Sequence, residues 1–194
     1  QIGEQGFNIA RVAALIAGFP VTVAGTSVNR QCGSSLQALN FAAQGIIAEQ
    51  QDVVIAAGVE SMSRIAMGSD ATEISELLTD RFDLIPQGLS AELIAQRWGF
   101  SRTQLDEFAA RSHERALAAQ AAGYFDREIV AVDAKTPDGQ PIRVTRDEGP
   151  REGSTVERLG KLKPAFKSDG VITAASSSQI SDGAAAIVLS SADN

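Results

Sequence analysis

One cysteine and one histidine stand among 194 residues. A single thiol excludes an internal disulfide, and the two residues together cannot build a Cys/His metal cluster. The lack of disulfides fits a reducing, cytoplasmic compartment. Basic residues are also scarce: 17 Lys and Arg against 24 Asp and Glu give a net charge of -7. A general nucleic-acid binder would be basic, so that class is disfavoured. No apolar run approaches the roughly 20 residues that cross a membrane, and no charged-then-apolar leader opens the chain. What is present is a 44% hydrophobic composition, enough for a sizeable core and too much for wholesale disorder. The length fits one domain, or one domain carrying a large insertion. The first residue is Gln1, and the chain runs almost directly into a helix pattern, so it reads as starting at an internal position of a longer protein.

Apolar spacing predicts a helix over residues 8–17, with Ile9, Val12, Ala13 and Ile16 on one face and Gly18 and Pro20 stopping it. Residues 21–23 and 26–28 read as extended. Helical spacing returns from Ser34 to Ala48. Asp52 to Ala57 is a short, almost wholly apolar run, which suits a strand covered on both faces. Strand, helix, strand in that order predicts an α/β architecture with a right-handed crossover. Residues 64–88 look irregular and polar. A helix over 89–98 ends at Gly99. Ser101 and Gln104 form a capping-box pattern for the next helix, which stops at Gly123. Residues 129–132 and 142–144 flank Asp138-Gly139, a hairpin signal. Residues 171–189 return to the buried-strand style. The expected organisation is an α/β domain over 1–63 and 171–194, interrupted by an α+β insertion over 64–170.

Cys32 falls between an extended run and a helix run. At such a junction the sulfur faces the first turn of the helix, where free N–H groups and the helix dipole favour a thiolate. Gly33 removes a neighbouring side chain, and backbone N–H groups there can form an oxyanion hole. The alternative is a buried cysteine acting as a small, inert hydrophobe.

The segment NRQCGSSLQAL (residues 29–39) closely resembles the nucleophile segment of thiolases. The likeness continues in GEQGFNIARVAALIAGFP upstream and in AAGVESMSR downstream. It resumes from AELIAQRWGFSRTQLDEFAARSHERALAAQ onward and in LGKLKPAFKSDGVITAASSSQISDGAAAIVL, so it covers nearly the whole chain. The resemblance implies a thiolase fold, in which two similar α/β halves lie side by side and a loop domain is inserted in the first. It implies acyltransferase chemistry on coenzyme A thioesters, with Cys32 as the nucleophile, and assembly as a homo-oligomer, dimer or tetramer. It implies no metal and no organic cofactor; acyl-CoA and CoA are substrates. Ser178 in VITAASSSQ matches a serine that bonds the pantetheine arm, and Ala174 matches an apolar neighbour. Ala175 stands where many members have glycine. A solvated serine-rich turn is the alternative. Arg151 matches an arginine near the CoA nucleotide and Phe166 an aromatic on the pantetheine path. Residues 143–167 carry seven Arg and Lys against four Asp and Glu, a local basic excess that suits phosphates.

Short-chain biosynthetic thiolases resemble LIPQGLSAE but carry His-Met before the glycine. Pro86 and Gln87 before Gly88 resemble instead the degradative 3-ketoacyl-CoA thiolases of fatty-acid β-oxidation. His113 sits among Arg111, Glu114 and Arg115 and reads as part of a solvated helix face. The family's Asn-Glu-Ala-Phe, Gly-His-Pro and second Cys-x-Gly segments do not occur, so the expected content is about half of a thiolase, with the acid/base half lacking. Such a chain is expected not to turn over, since general acid/base steps contribute about a hundred- to ten-thousand-fold each. The leading expectation is an acetyl-CoA acyltransferase that cleaves 3-ketoacyl-CoA reversibly. The alternatives are a biosynthetic acetoacetyl-CoA thiolase and a non-catalytic CoA- or acyl-binding fragment of thiolase ancestry.

Overall fold

The structure is a computed structural model that describes residues 2–70 and 74–192. In chain order its elements are α1 (Ile9–Ile16), α2 (Ser34–Ile47), β1 (Val53–Ser61), α3 (Glu76–Thr79), α4 (Gln87–Trp98), α5 (Arg102–Ala121), β2 (Val132–Lys135), β3 (Pro141–Val144), α6 (Val156–Leu159) and β4 (Asp182–Ser190). They form two compact units, residues 1–78 with 180–194, and residues 79–179. Within the segment read as irregular, residues 71–73 lie outside the described residues, as do 193–194 of the returning segment.

In the first unit, Asn8 caps α1 by accepting the Arg11 N–H at 3.2 Å. β1 pairs antiparallel with β4, in register from Val53 opposite Ser190 to Ser61 opposite Asp182. The extended reading of residues 21–28 yields no strand among the described residues. Side chains of α1 take the main chain there: Arg11 donates to the carbonyls of Val21 and Val23, and Asn8 Nδ2 to that of Gly25 at 2.6 Å. The expected crossover between parallel strands is therefore not seen among the described residues, where both sheets are antiparallel.

α2 packs against β1, on the better-covered side that carries Val54, Ala56 and Gly58. Gly58 is needed there, because any side chain at that position would collide with Ser35. The opposite face is apolar and bare: Val53 is 59% exposed, Ile55 48%, Val59 47% and, from β4, Val188 67%. The run expected to be covered on both faces is thus covered on one.

The second unit is knit differently. Gly99, in the left-handed region at φ 68°, closes α4, and both halves of the Ser101–Gln104 capping box are formed at α5. Gly139 turns the β2–β3 hairpin at φ 85°, though β2 starts later than the expected strand. Ala95, Ala109, Leu159 and Ile172 are buried, and Thr173 and Asp106 are nearly or wholly so. Arg102 Nε donates to Asp106 Oδ2 at 2.8 Å, and its Nη2 to the carbonyls of Leu159 and Leu162 at 2.8 and 2.9 Å. This joins α5 to α6. Residues 171–179 pack with this unit rather than returning to the first, which moves the expected boundary at 170. Several contacts hold them there: the Glu92 carboxylate accepts the N–H groups of Val171 and Ile172 at 2.9 Å each, the Ala165 N–H donates to the Ile172 carbonyl at 2.9 Å, and Gln179 Nε2 donates to the Gly149 carbonyl at 2.8 Å.

Candidate active site

Cys32 lies in a 3₁₀ turn, Gln31–Gly33, that leads straight into α2. The turn is held by short polar contacts. Gln31 N–H donates to Asn29 Oδ1 at 3.2 Å, and Arg30 N–H to Ser34 Oγ at 2.9 Å. Ser34 Oγ in turn donates to the Gln31 carbonyl at 2.6 Å. Gln31 is thereby kept at φ 44°, left-handed backbone that costs a residue with a side chain about 1 kcal/mol. The turn delivers Cys32 to the surface, where its thiol is exposed. Within this chain Cys32 is therefore not a buried core side chain. No side chain caps the start of α2, although the N–H groups of Gly33 and Ser34 beside the thiol already donate to the carbonyls of Arg30 and Gln31. The space beside Gly33 is not demanded within this chain, since an added Cβ would make only ordinary contact with Arg30, at 3.8 Å.

The other four candidates belong to the second unit. Ser178 and Ala174 are both exposed in the loop after Ile172. The serines around them are not an undifferentiated solvated turn. Ser177 Oγ donates to the Thr173 carbonyl at 2.7 Å, and Ser176 Oγ accepts the Thr173 N–H at 2.9 Å. Two serines thus build the loop around the wholly buried Thr173, while Ser178 Oγ makes no hydrogen bond among the described residues. Phe166 is 47% exposed and its ring lies over Gly88, where a side chain would run into it. The structure therefore brings the Pro86-Gln87-Gly88 segment against Phe166. Arg151 is exposed, and its N–H donates to His113 Nδ1 at 3.2 Å. His113 is half-buried, not on the solvated face expected for it. A cleft of about 660 Å³, lined by Leu117, Phe125, Ile129 and Arg146 among others, contains none of the five candidates.

Two groups that shape these loops differ in how far the sequence shows them. The Asn29 cap is a recognisable short-range Asx contact. The Glu92 clamp, 79 residues from Val171, is not foreseeable from local pattern. Among the described residues no group of three or more His, Cys, Asp or Glu could hold a metal ion, and no helix is long and apolar enough to cross a membrane.

A family profile described as the thiolase N-terminal domain matches residues 1–193. The chain belongs to the thiolase family. It is 41% identical over 203 residues to a probable acetyl-CoA acyltransferase of Staphylococcus aureus strain COL, covering 97% of this chain and 52% of that protein. It is 46% identical over 195 residues to the peroxisomal 3-ketoacyl-CoA thiolase 2 of Arabidopsis thaliana, covering 96% of this chain and 42% of that one. Its fold matches the crystal structure of the dimeric peroxisomal thiolase of Saccharomyces cerevisiae with a TM-score of 0.83 at 38% identity, over 93% of this chain and 47% of that chain. The chain spans about half the length of the curated relatives it matches. Its fold class is that of part of a thiolase N-terminal half, with mixed helix and strand.

Proposed function

We propose that this chain supplies the nucleophile of a thiolase-type acyltransferase, with residues of its second unit, a loop domain inserted in the first, holding coenzyme A. One observation carries the reading: an exposed Cys32 thiol presented by a pinned turn at an uncapped helix start. In the cleavage direction the Cys32 thiolate attacks the 3-keto carbon of a 3-ketoacyl-CoA. The C2–C3 bond breaks, and the two-carbon fragment leaves as acetyl-CoA after gaining a proton at C2. The acyl group stays on Cys32 until a CoA thiolate attacks it, releasing the shortened acyl-CoA and the cysteine. A covalent intermediate splits one hard step into two. The chemistry calls for no metal or organic cofactor.

Ser178, with its free hydroxyl, and Ala174 would meet the pantetheine arm, Phe166 would flank it, and Arg151 would face the nucleotide phosphates. The proton at C2 needs an acid that we assign to residues outside this chain, so acylation without sustained turnover is expected. A cytoplasmic setting accords with the unpaired thiol. A homo-oligomer accords with the bare apolar face of β1 and β4.

The test is single-turnover acylation of Cys32 by a series running from acetoacetyl-CoA to long-chain 3-ketoacyl-CoA. Acylation across the series supports the degradative reading drawn from Pro86 and Gln87. Acylation by acetoacetyl-CoA alone would favour the biosynthetic one, and rapid steady turnover would overturn the assignment of the acid/base groups elsewhere. A second reading, CoA or acyl binding without transfer, is favoured by the engagement of the sole histidine with Arg151. It predicts CoA binding and no acylation by any member of the series.

A further inference from the structure

We propose that His113 and Gln179 are positioning residues that set Arg151 for the nucleotide end of coenzyme A. This rests on the reading of Arg151 and Ser178 as CoA contacts.

Residues 147–151 have neither helix nor strand, so nothing regular fixes where Arg151 stands. Three side chains do so instead. Gln120 Nε2 donates to the Asp147 carbonyl at 3.1 Å, Gln179 Nε2 to the Gly149 carbonyl at 2.8 Å, and His113 Nδ1 accepts the Arg151 N–H at 3.2 Å. His113 and Gln120 are two turns apart on one face of α5, roughly 10 Å along its axis. Four residues of extended chain reach about 13 Å, so the segment from 147 to 151 lies along that face tied near both ends.

The third tie comes from the immediate neighbour of Ser178. A side chain at Gly149 would press on the Gln179 amide, at 2.7 Å from Oε1, so glycine lets that amide close over the segment. Pro150 offers no N–H, which leaves Arg151 as the next donor and His113 as its acceptor. With Nδ1 accepting, the proton of a neutral His113 is on Nε2. The Arg151 loop is thus locked at once to a rigid helix and to the Ser178 loop. An arginine whose backbone is ordered before binding spares the ordering cost that weakens phosphate recognition by a free loop.

The experiment measures CoA and pantetheine binding to the chain by calorimetry or competition, for His113→Leu, His113→Asn, Gln179→Leu, Arg151→Ala and the double variant Arg151→Ala/His113→Leu. Melting curves check folding. Gln179 is exposed, so its variant reports even if a change at half-buried His113 disturbs the fold. His113→Leu and Gln179→Leu should each weaken CoA about three- to tenfold and leave pantetheine unchanged. His113→Asn, which keeps an acceptor oxygen, should restore most of the affinity. The double variant should bind no more weakly than Arg151→Ala alone. Equal losses for CoA and pantetheine, or additive losses in the double variant, would overturn the positioning role and leave the CoA reading intact. Absence of CoA binding by the unaltered chain, or unchanged affinity in Arg151→Ala, would remove that reading and the positioning role with it.

Discussion

The two units solve the same packing problem in opposite ways. The second closes on itself through polar clamps that cross long stretches of chain: Arg102 to Leu159 and Leu162, Glu92 to Val171 and Ile172, Gln179 to Gly149. The first has one helix on one side of a two-stranded sheet and leaves the other side bare. Two separate compact domains of these sizes would expose roughly 10,600 Å² together, whereas the chain exposes 15291 Å². In the first unit the exposed surface includes an apolar face of Val53, Ile55, Val59 and Val188. Long-range polar clamps go with the unit that would grip CoA, and a one-sided sheet with the unit that would carry the nucleophile, although both units expose large apolar side chains, Trp98 and Phe108 among those of the second. A contiguous apolar face of this kind is a surface built to be covered.

The largest expected effect tests the clamps. Asp106 is buried, with its side chain 2% exposed beside Arg102. Arg102→Ala should cost the second unit about 3–5 kcal/mol, because it strands a buried carboxylate. Urea unfolding followed by Trp98, the only tryptophan, reads this unit directly. The same signal should barely move in Gly58→Val, where the new side chain meets Ser35 and costs the first unit about 1–3 kcal/mol. Equal responses of Trp98 to both variants would mean that the units do not unfold separately.

Val188→Lys comes next and probes the bare face. It should change stability by less than about 0.5 kcal/mol yet reduce self-association measured by light scattering. A large stability loss would show that the face is already packed.

The smallest effect concerns Asp182, which closes the open sheet. Its carboxylate accepts the Ser63 N–H at 2.8 Å and the Ser63 hydroxyl. The hydroxyl bond first, then the N–H, holds its pKa below the ordinary 3.8. A lowered carboxylate stabilises the fold at pH above 3.8, and that contribution is lost as pH falls from there through the folded-state value. Asp182→Asn should flatten this acid limb of the melting profile; an unchanged limb would assign it to other carboxylates.

Features that depend on a few neighbouring residues were readable in advance. The Ser101–Gln104 capping box, the Gly99 stop and the Asp138-Gly139 turn are set by chemistry within one turn of chain. The helix side of the Cys32 junction was readable for the same reason, since α2 begins at Ser34, but no strand precedes it among the described residues. What was not readable depends on partners far along the chain. Residues 21–28 have strand-like composition, but Arg11 and Asn8 take their carbonyls. Residues 171–179 look like the start of a returning strand, but Glu92 ties them to the second unit. His113 looks solvated from its charged neighbours Glu114 and Arg115, yet its partner Arg151 is 38 residues away. At the site, residue types and the family likeness pointed to Cys32, Arg151, Phe166, Ala174 and Ser178. The side chains that hold their loops came only with the fold.

The most direct test of the account is the intact mass of the chain after incubation with acetyl-CoA, with Cys32→Ala beside it. The account predicts one acetyl adduct on the unaltered chain and none on the variant. An unmodified mass for the unaltered chain, or an adduct that persists in Cys32→Ala, would contradict it.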